Sequence, residues 1–304
     1  MDNVRAIGGY FELDDGTGNS PLPNGVLLNS GRNALRHIVR MLGIGRIHVP
    51  HYICPVVIDA LEAECCEVER YVLSEDMMPA KTFSADDFIL YVNYFGVCGL
   101  KVDILASRYP NLIVDCAQAY FARPKGLASF SSPRKFFGVP DGGVAYGVET
   151  AEYDEDVSDI RKGHLFERKE NGVTSRGYEL FRKSEASLEG AEVFSMSAFT
   201  RNSLSRVDMG LAKERRFANF AYLKEHLPTS FPLAIAEDDV PMAYPYITDD
   251  SVLRVRLISD KIFIALYWSG VSNCGDMPKR ILPLPIDQRY GEEDMKRIVE
   301  AVKS

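Results

Sequence analysis

The sequence predicts an α/β protein built on a largely parallel central sheet covered by helices on both faces. Short apolar runs alternate with amphipathic helical segments through the first half of the chain. Several of those runs ("FILYV", "LIV") are apolar throughout, so both of their faces need cover, as in a parallel sheet. Polar residues (Asn93, Asp115 and Gln118) close the runs, where the carboxyl ends of parallel strands collect ligands.

The elements follow in order. After a polar opening rich in Gly and Pro, "LLNSGRNALRHIVRMLGIG" places Ser30 as a helix N-cap and Gly43 near the stop. Ala34, Leu35, Ile38, Val39 and Leu42 repeat at helical spacing between them. A strand "RIHVP", a helix "CPVVIDALEAE" and a strand "EVERYVL" come next. The runs "DFILYVNYFG" and "NLIVDCAQA" read as strands around a helical "LKVDILASRYP", and "LASFSS" and "GGVAYGV" as two short strands. From about Ala151 the composition changes. "AEYDEDVSDIRKGHLFERKENG" is charged and expected on the surface, while "YELFRKSEASLEGAEVF" and "LSRVDMGLAKERRFANFAYLKEHL" read as long amphipathic helices. The tail offers strands "PMAYPYI" and "KIFIALYW" and a closing helix "EEDMKRIVEAVKS". The expected division is a large α/β domain over 1–230, with helices near 175–228 at an interface, and a small α+β domain over 231–304.

Composition narrows the function classes. With 304 residues the chain is long enough for one large domain or two, and its 46% hydrophobic and 26% charged content is ordinary for a globular protein. A net charge of −8 without basic runs argues against a nucleic-acid partner. The opening "MDNVRAIGGYFELDDGTG" has early acids and no apolar core of a secretion signal, and no run approaches the ~18 apolar residues of a membrane span. The six cysteines are scattered without a Cys-x-x-Cys pair, and the five histidines lack metal-ligand spacing. Reduced thiols in a cytoplasmic protein without a metal site are the expectation.

The chemistry centres on "FSSPRKFFGVPDGG". A lysine that forms a Schiff base must act as a neutral amine, and Lys135 has apolar Phe136 and Phe137 and cationic Arg134 beside it. A lone lysine is more often a solvated loop residue, so the surrounding pattern decides. Asp115 ends an apolar strand twenty residues earlier. There it either caps the following helix or pairs with a buried cation such as a pyridinium N–H. Gln118 lies one helical step on, and "NSGRNAL" offers the backbone amides of a helix N-terminus to an anion. Tyr52 follows a strand and precedes a helix, where it either lies on a cofactor ring or packs in the core.

The succession "SGRNAL … VPHYICPVVIDAL … ILYVNYFG … LIVDCAQA … SFSSPRKFFGVPDGG" resembles the DegT/DnrJ/EryC1/StrS family of sugar aminotransferases, over roughly Leu27 to Gly147. That resemblance implies the three-layer, fold-type-I architecture of pyridoxal 5'-phosphate (PLP) dependent transferases. It implies Lys135 as the Schiff-base lysine and proton shuttle, Asp115 at the pyridine nitrogen, Gln118 near the ring oxygen and Tyr52 stacked on the ring. Gly31, Arg32 and Asn33 would form the phosphate turn with Ser131 as a further ligand, and Asn93 would sit beside the cofactor. The family has a small hydroxyl residue where this chain has Arg32, so Arg32 either clamps an anion or turns away to an acid. The serine-to-lysine spacing is one residue off the family pattern, which leaves Ser129, Ser131 and Ser132 open. The later half is also shorter than in the family. The implied function is ping-pong transfer of an amino group from an amino acid to a nucleotide-linked keto-sugar, by a homodimer with shared sites. The alternatives are another PLP reaction and a non-catalytic relative serving as a binding module.

Overall fold

The computed structural model describes residues 5–157 and 159–304. Its centre is a seven-stranded sheet formed between residues 26 and 146. The strands are β2 (Val26–Leu28), β3 (Arg46–Pro50), β4 (Glu67–Tyr71), β5 (Ile89–Val92), β6 (Leu112–Cys116), β7 (Ala128–Ser131) and β8 (Gly143–Tyr146). A two-residue β1 (Ile7–Gly8) precedes them and lies outside this sheet. The spatial order is β2-β8-β7-β6-β5-β3-β4, with β8 antiparallel to both neighbours and the other pairings parallel. Because β3 sits between β4 and β5, successive strands leave it in opposite directions. This is the switch point at which a crevice opens beyond the strand ends.

Local chemistry explains the elements. Helix α1 (Gly31–Leu42) starts where Ser30 Oγ accepts the Asn33 N–H at 3.2 Å, and stops at Gly43, whose φ of 61° is left-handed. Its Ala34, Leu35, Ile38 and Val39 are buried, and each large aliphatic side chain contributes about 1.5–3 kcal/mol by leaving water. Helix α2 (Pro55–Glu62) carries Pro55 at its first position, where the missing N–H costs nothing. Helix α3 (Gly99–Arg108) joins β5 to β6. Every residue of β5 and β6 is buried, as their apolar runs require, and Asp115 near the end of β6 is buried with them.

The second half is mostly helical. It contains α4 (Gly163–Asn171), α5 (Ser175–Ala186), α6 (Ala198–Ser205) and α7 (Met209–His226). The segment expected on the surface is instead partly internal, with Asp156, Arg161, His164, Leu165 and Arg168 all buried. Its charges go inside in partnership: Arg161 pairs with Asp156, and Arg168 with Glu12 at 3.1 Å. One long helix was expected through "LSRVDMGLAKERR"; the chain breaks it at Val207–Asp208, where the Asp208 side chain caps α7 through the Leu211 N–H.

In the tail, β9 (Ala243–Ile247) pairs antiparallel with β11 (Ile281–Pro285), and α10 (Glu292–Lys303) closes the chain. Between them lie α8 (Leu253–Ser259), β10 (Ile262–Phe263) and α9 (Met277–Arg280). The strand expected over "KIFIALYW" is only the two residues of β10, which pair parallel with β1 from the other end of the chain. Beyond them Ile264 to Trp268 leave the sheet, and Trp268 takes a left-handed φ of 54°. Among the described residues no helix is long and apolar enough to cross a membrane.

Candidate active site

The carboxyl ends of β5, β6 and β7 bring the predicted residues to one side of the sheet. In register, Val92 aligns with Asp115 and Asp115 with Phe130, so Asn93, Asp115 and the turn after Ser131 sit side by side. After β7 the chain makes a tight turn over Pro133–Lys135, where the Phe136 and Phe137 N–H groups both donate to the Pro133 carbonyl at 2.9 Å. Phe136 and Phe137 are fully buried and pack edge-on and tilted against Tyr120 and Phe121. They act as the anchor of the turn, and Lys135 is left half-buried on the wall of a cavity of about 880 Å³.

The glycines let three segments converge beside that lysine. A Cβ on Gly143 would lie 2.1 Å from the Ser30 carbonyl oxygen, and one on Gly142 would lie 2.6 Å from Pro133 Cγ. Gly142 also holds a φ of 127°, open to glycine alone at little cost. The start of α1 therefore packs directly against the lysine turn. There a Cβ on Gly31 would come within 3.3 Å of Ser132 Cβ. Of the three serines left open by sequence, Ser132 both faces the Gly31 turn and lines the cavity with Lys135. Ser131 is buried on β7, and its Oγ lies near the Tyr146 hydroxyl without a well-formed hydrogen bond.

Asp115 is buried behind the turn. Its Oδ1 accepts the Ala117 N–H at 2.8 Å, so it does cap the segment that follows. Burial pushes its carboxyl above the usual range, while the positive charge of Lys135 and the Ala117 N–H work the other way. A further cationic N–H beside it would favour the charged carboxylate against that burial. Gln118 is equally buried: Oε1 accepts the Phe95 N–H at 2.7 Å, and Nε2 has no partner. That bond helps hold Phe95 at a left-handed φ of 55°, a strained setting for an aromatic residue.

The other predicted side chains are committed elsewhere. Arg32 Nη1 donates to the Leu188 carbonyl at 2.9 Å, turned toward the end of α5 and the field of Glu185. Asn33 Nδ2 donates to Asn29 Oδ1 at 2.8 Å and the Glu192 carbonyl at 2.7 Å, which leaves its backbone at the turn. Asn93 donates to Asp239 Oδ1 at 2.9 Å and accepts the Cys98 N–H at 2.9 Å. Tyr52 stacks on Tyr94 with centroids 5.5 Å apart and meets the edge of Trp268 at 5.0 Å, which places its ring in an aromatic cluster. Arg134, expected as the cation beside Lys135, pairs with Glu185.

Much of the cavity lining comes from residues that sequence reasoning did not single out. Tyr10 arrives from the N-terminal arm, His164 and Arg168 from α4, Arg216 from α7 and Arg254 from α8. Arg216 is wholly buried, lies over the Phe136 ring at 4.5 Å and donates to the Met242 carbonyl at 3.1 Å. One signal was available: Ala212, Arg216, Asn219, Phe220 and Leu223 form the buried stripe of α7, with an arginine at its centre.

No family model matches the sequence, and no curated protein matches it. Solved structures do. Spr1654 from Streptococcus pneumoniae, known in apo, PLP and PMP forms, superimposes in the apo form with a TM-score of 0.64 at 14% identity, over 97% of this chain and 91% of that one. The sugar aminotransferase CalS13 from Micromonospora echinospora gives 0.58 at 15% identity, over 91% and 86%. A DegT DnrJ EryC1 StrS aminotransferase from Brucella abortus gives 0.57 at 14% identity, over 93% and 86%. At such identities the likeness establishes a shared fold.

Proposed function

We propose that the protein is a PLP-dependent aminotransferase that moves an amino group from an amino acid to a keto-sugar, with nucleotide-linked sugars as the acceptor class. One observation carries the reading. Lys135 stands on the cavity wall with buried Asp115 behind it and the glycine-bounded junction of Gly31 and Ser132 beside it. These residues fit the cofactor: the junction would be filled by a single Cβ, and the unpartnered Gln118 Nε2 is a free donor in the same neighbourhood as Asp115.

In this reading Lys135 Nζ would hold the cofactor, with Asp115 at the ring nitrogen and Gln118 Nε2 near the ring oxygen. Ser132 and the α1 amides after Gly31 take the phosphate. When bound, PLP supplies an aldehyde for Schiff-base exchange and an electron-withdrawing ring. Lys135 Nζ would take and return a proton at the substrate carbon that bears nitrogen. A homodimer belongs to the same reading, supported by the exposed apolar side chains of Tyr178 on α5 and Leu211 and Phe217 on α7.

Borohydride reduction of the PLP-treated protein followed by peptide mapping tests the assignment. The pyridoxyl group is expected on Lys135, and labelling of another lysine, or of none, overturns it.

A further inference from the structure

The turn that carries Lys135 is gripped from the far end of the chain. The residue after the lysine ends in the Phe136 carbonyl, and that oxygen accepts from two side chains: Gln288 Nε2 at 2.7 Å and Arg216 Nη2 at 3.3 Å. The two donors are themselves joined, since Arg216 Nε donates to Gln288 Oε1 at 3.0 Å. These bonds close a loop in which α7 and the segment after β11 meet the lysine turn. Phe136 is thereby held at its N–H by the Pro133 carbonyl, at its buried ring by Tyr120 and Phe121, and at its own carbonyl. Lys135 precedes it directly, so the direction in which the lysine leaves the backbone is held as well.

The grip is itself braced. Asn219 Nδ2 on α7 donates to the Ile286 carbonyl at 3.1 Å and the Tyr290 carbonyl at 3.0 Å, on either side of Gln288. Arg289 pairs with Asp287 at 2.7 Å and with Glu12 at 3.0 Å. Glu12 in turn lies against the end of the lysine turn, where a Cβ on Gly138 would fall 1.6 Å from its carbonyl oxygen. Arg216 is wholly buried, and its charge is met by carbonyls, the Gln288 amide and the face of the Phe136 ring. A buried cation is costly, and an apolar side chain would fill the same place at less cost, so packing alone does not account for it.

We propose that Gln288, with Arg216 behind it, is a positioning residue for Lys135: it holds the peptide beyond the lysine so that Nζ enters the cavity in one direction. A reacting amine displaced by a fraction of its approach distance loses much of its rate, so such a hold has a use. The inference rests on the aminotransferase reading only for what Nζ does in the cavity. The direction it takes is a property of the chain with or without cofactor.

Methyl NMR of the protein with isotope-labelled dimethyl groups on its lysines, and no added PLP, reads the surroundings of Nζ; Lys135→Arg identifies the signal. Gln288→Met removes both bonds of the amide. Gln288→Glu keeps an acceptor for Arg216 Nε and loses the donor to the Phe136 carbonyl. The Lys135 signal is expected to shift or broaden in both variants, while those of exposed Lys224 and Lys303 stay in place. PLP affinity by absorbance should fall about three- to tenfold in both, the worth of one neutral hydrogen bond. An unmoved Lys135 signal in folded Gln288→Glu overturns the proposal, because the amide would then serve Arg216 alone. Shifts shared by Lys224 and Lys303 overturn it as a general loosening, and unchanged PLP affinity overturns it as well. If one variant does not fold, the other decides by the same signals. Failure of PLP to bind the unmodified protein refutes the aminotransferase and leaves the NMR result to decide the positioning.

Discussion

Mild acid should destabilise this protein through His164, and His164→Phe should remove part of that sensitivity. Burial, reinforced by the positive charge of Arg134 and opposed by Glu185, pushes the imidazole down to about 4 from its ordinary 6.5. Between those two values the unfolded chain holds a proton that the folded chain does not, so stability falls as pH drops below 6.5. From pH 7 to pH 5 the linkage comes to roughly 2 kcal/mol, against a total of about 5–15 kcal/mol for a typical domain. Glu185 does not confuse this window. Burial raises its carboxyl, but the Arg134 guanidinium and its hydrogen bond outweigh that and hold it below 4.5, so its contribution is lost only at lower pH. His37 and His51 are also depressed by burial and change stability in the same direction, but equally in both proteins. Urea unfolding of the two proteins at pH 7 and pH 5 gives the difference of differences, which cancels any packing change made by the phenyl ring. The unmodified protein should lose roughly 2 kcal/mol more than the variant. Equal losses, within the error of the extrapolation, would refute the claim that His164 is held neutral in the fold.

Other consequences can be checked at single sites. Asp115→Asn should stabilise the protein without cofactor and, on the proposed aminotransferase reading, cripple transamination. Its carboxyl is raised by burial, so ionisation costs stability as pH climbs through that range, and the amide removes this cost. We expect a higher melting temperature by calorimetry, with turnover reduced on the order of 10²-fold. Gly143→Ala would drive a methyl group to 2.1 Å from the Ser30 carbonyl. It should lower stability by about 1–3 kcal/mol or more in urea and weaken PLP binding by absorbance titration, and a neutral result would mean that α1 and the lysine turn are not locked together. Arg216→Met leaves the Met242 carbonyl and the Gln288 side chain without their donor. Chemical denaturation should show a loss of about 1–3 kcal/mol for each acceptor left unpaired.

What the sequence determined was the frame and the strand ends on which the candidate site residues lie. The apolar runs around Leu90 and Val114 could only be strands covered on both sides, and Ser30 and Gly43 marked the limits of α1. The spacing of Asp115, Gln118 and Lys135 was legible because strand ends and the turns after them are local features. Which side chains remain free was decided by the tertiary structure. Arg32 and Asn33 look like phosphate ligands in the sequence, yet segments near residues 188–192, more than 150 positions away, supply carbonyls that engage them. Asn93 is occupied by Asp239 in the same way. The strand expected in "KIFIALYW" shrank to two residues because its partner is the N-terminal arm, whose pairing β1 offers only Ile7 and Gly8. The rest of the cavity lining has no contiguous motif at all. Tyr10, Arg168, Arg216 and Arg254 belong to four separate elements, and a local pattern of residues carries no record of which distant side chains will share a space.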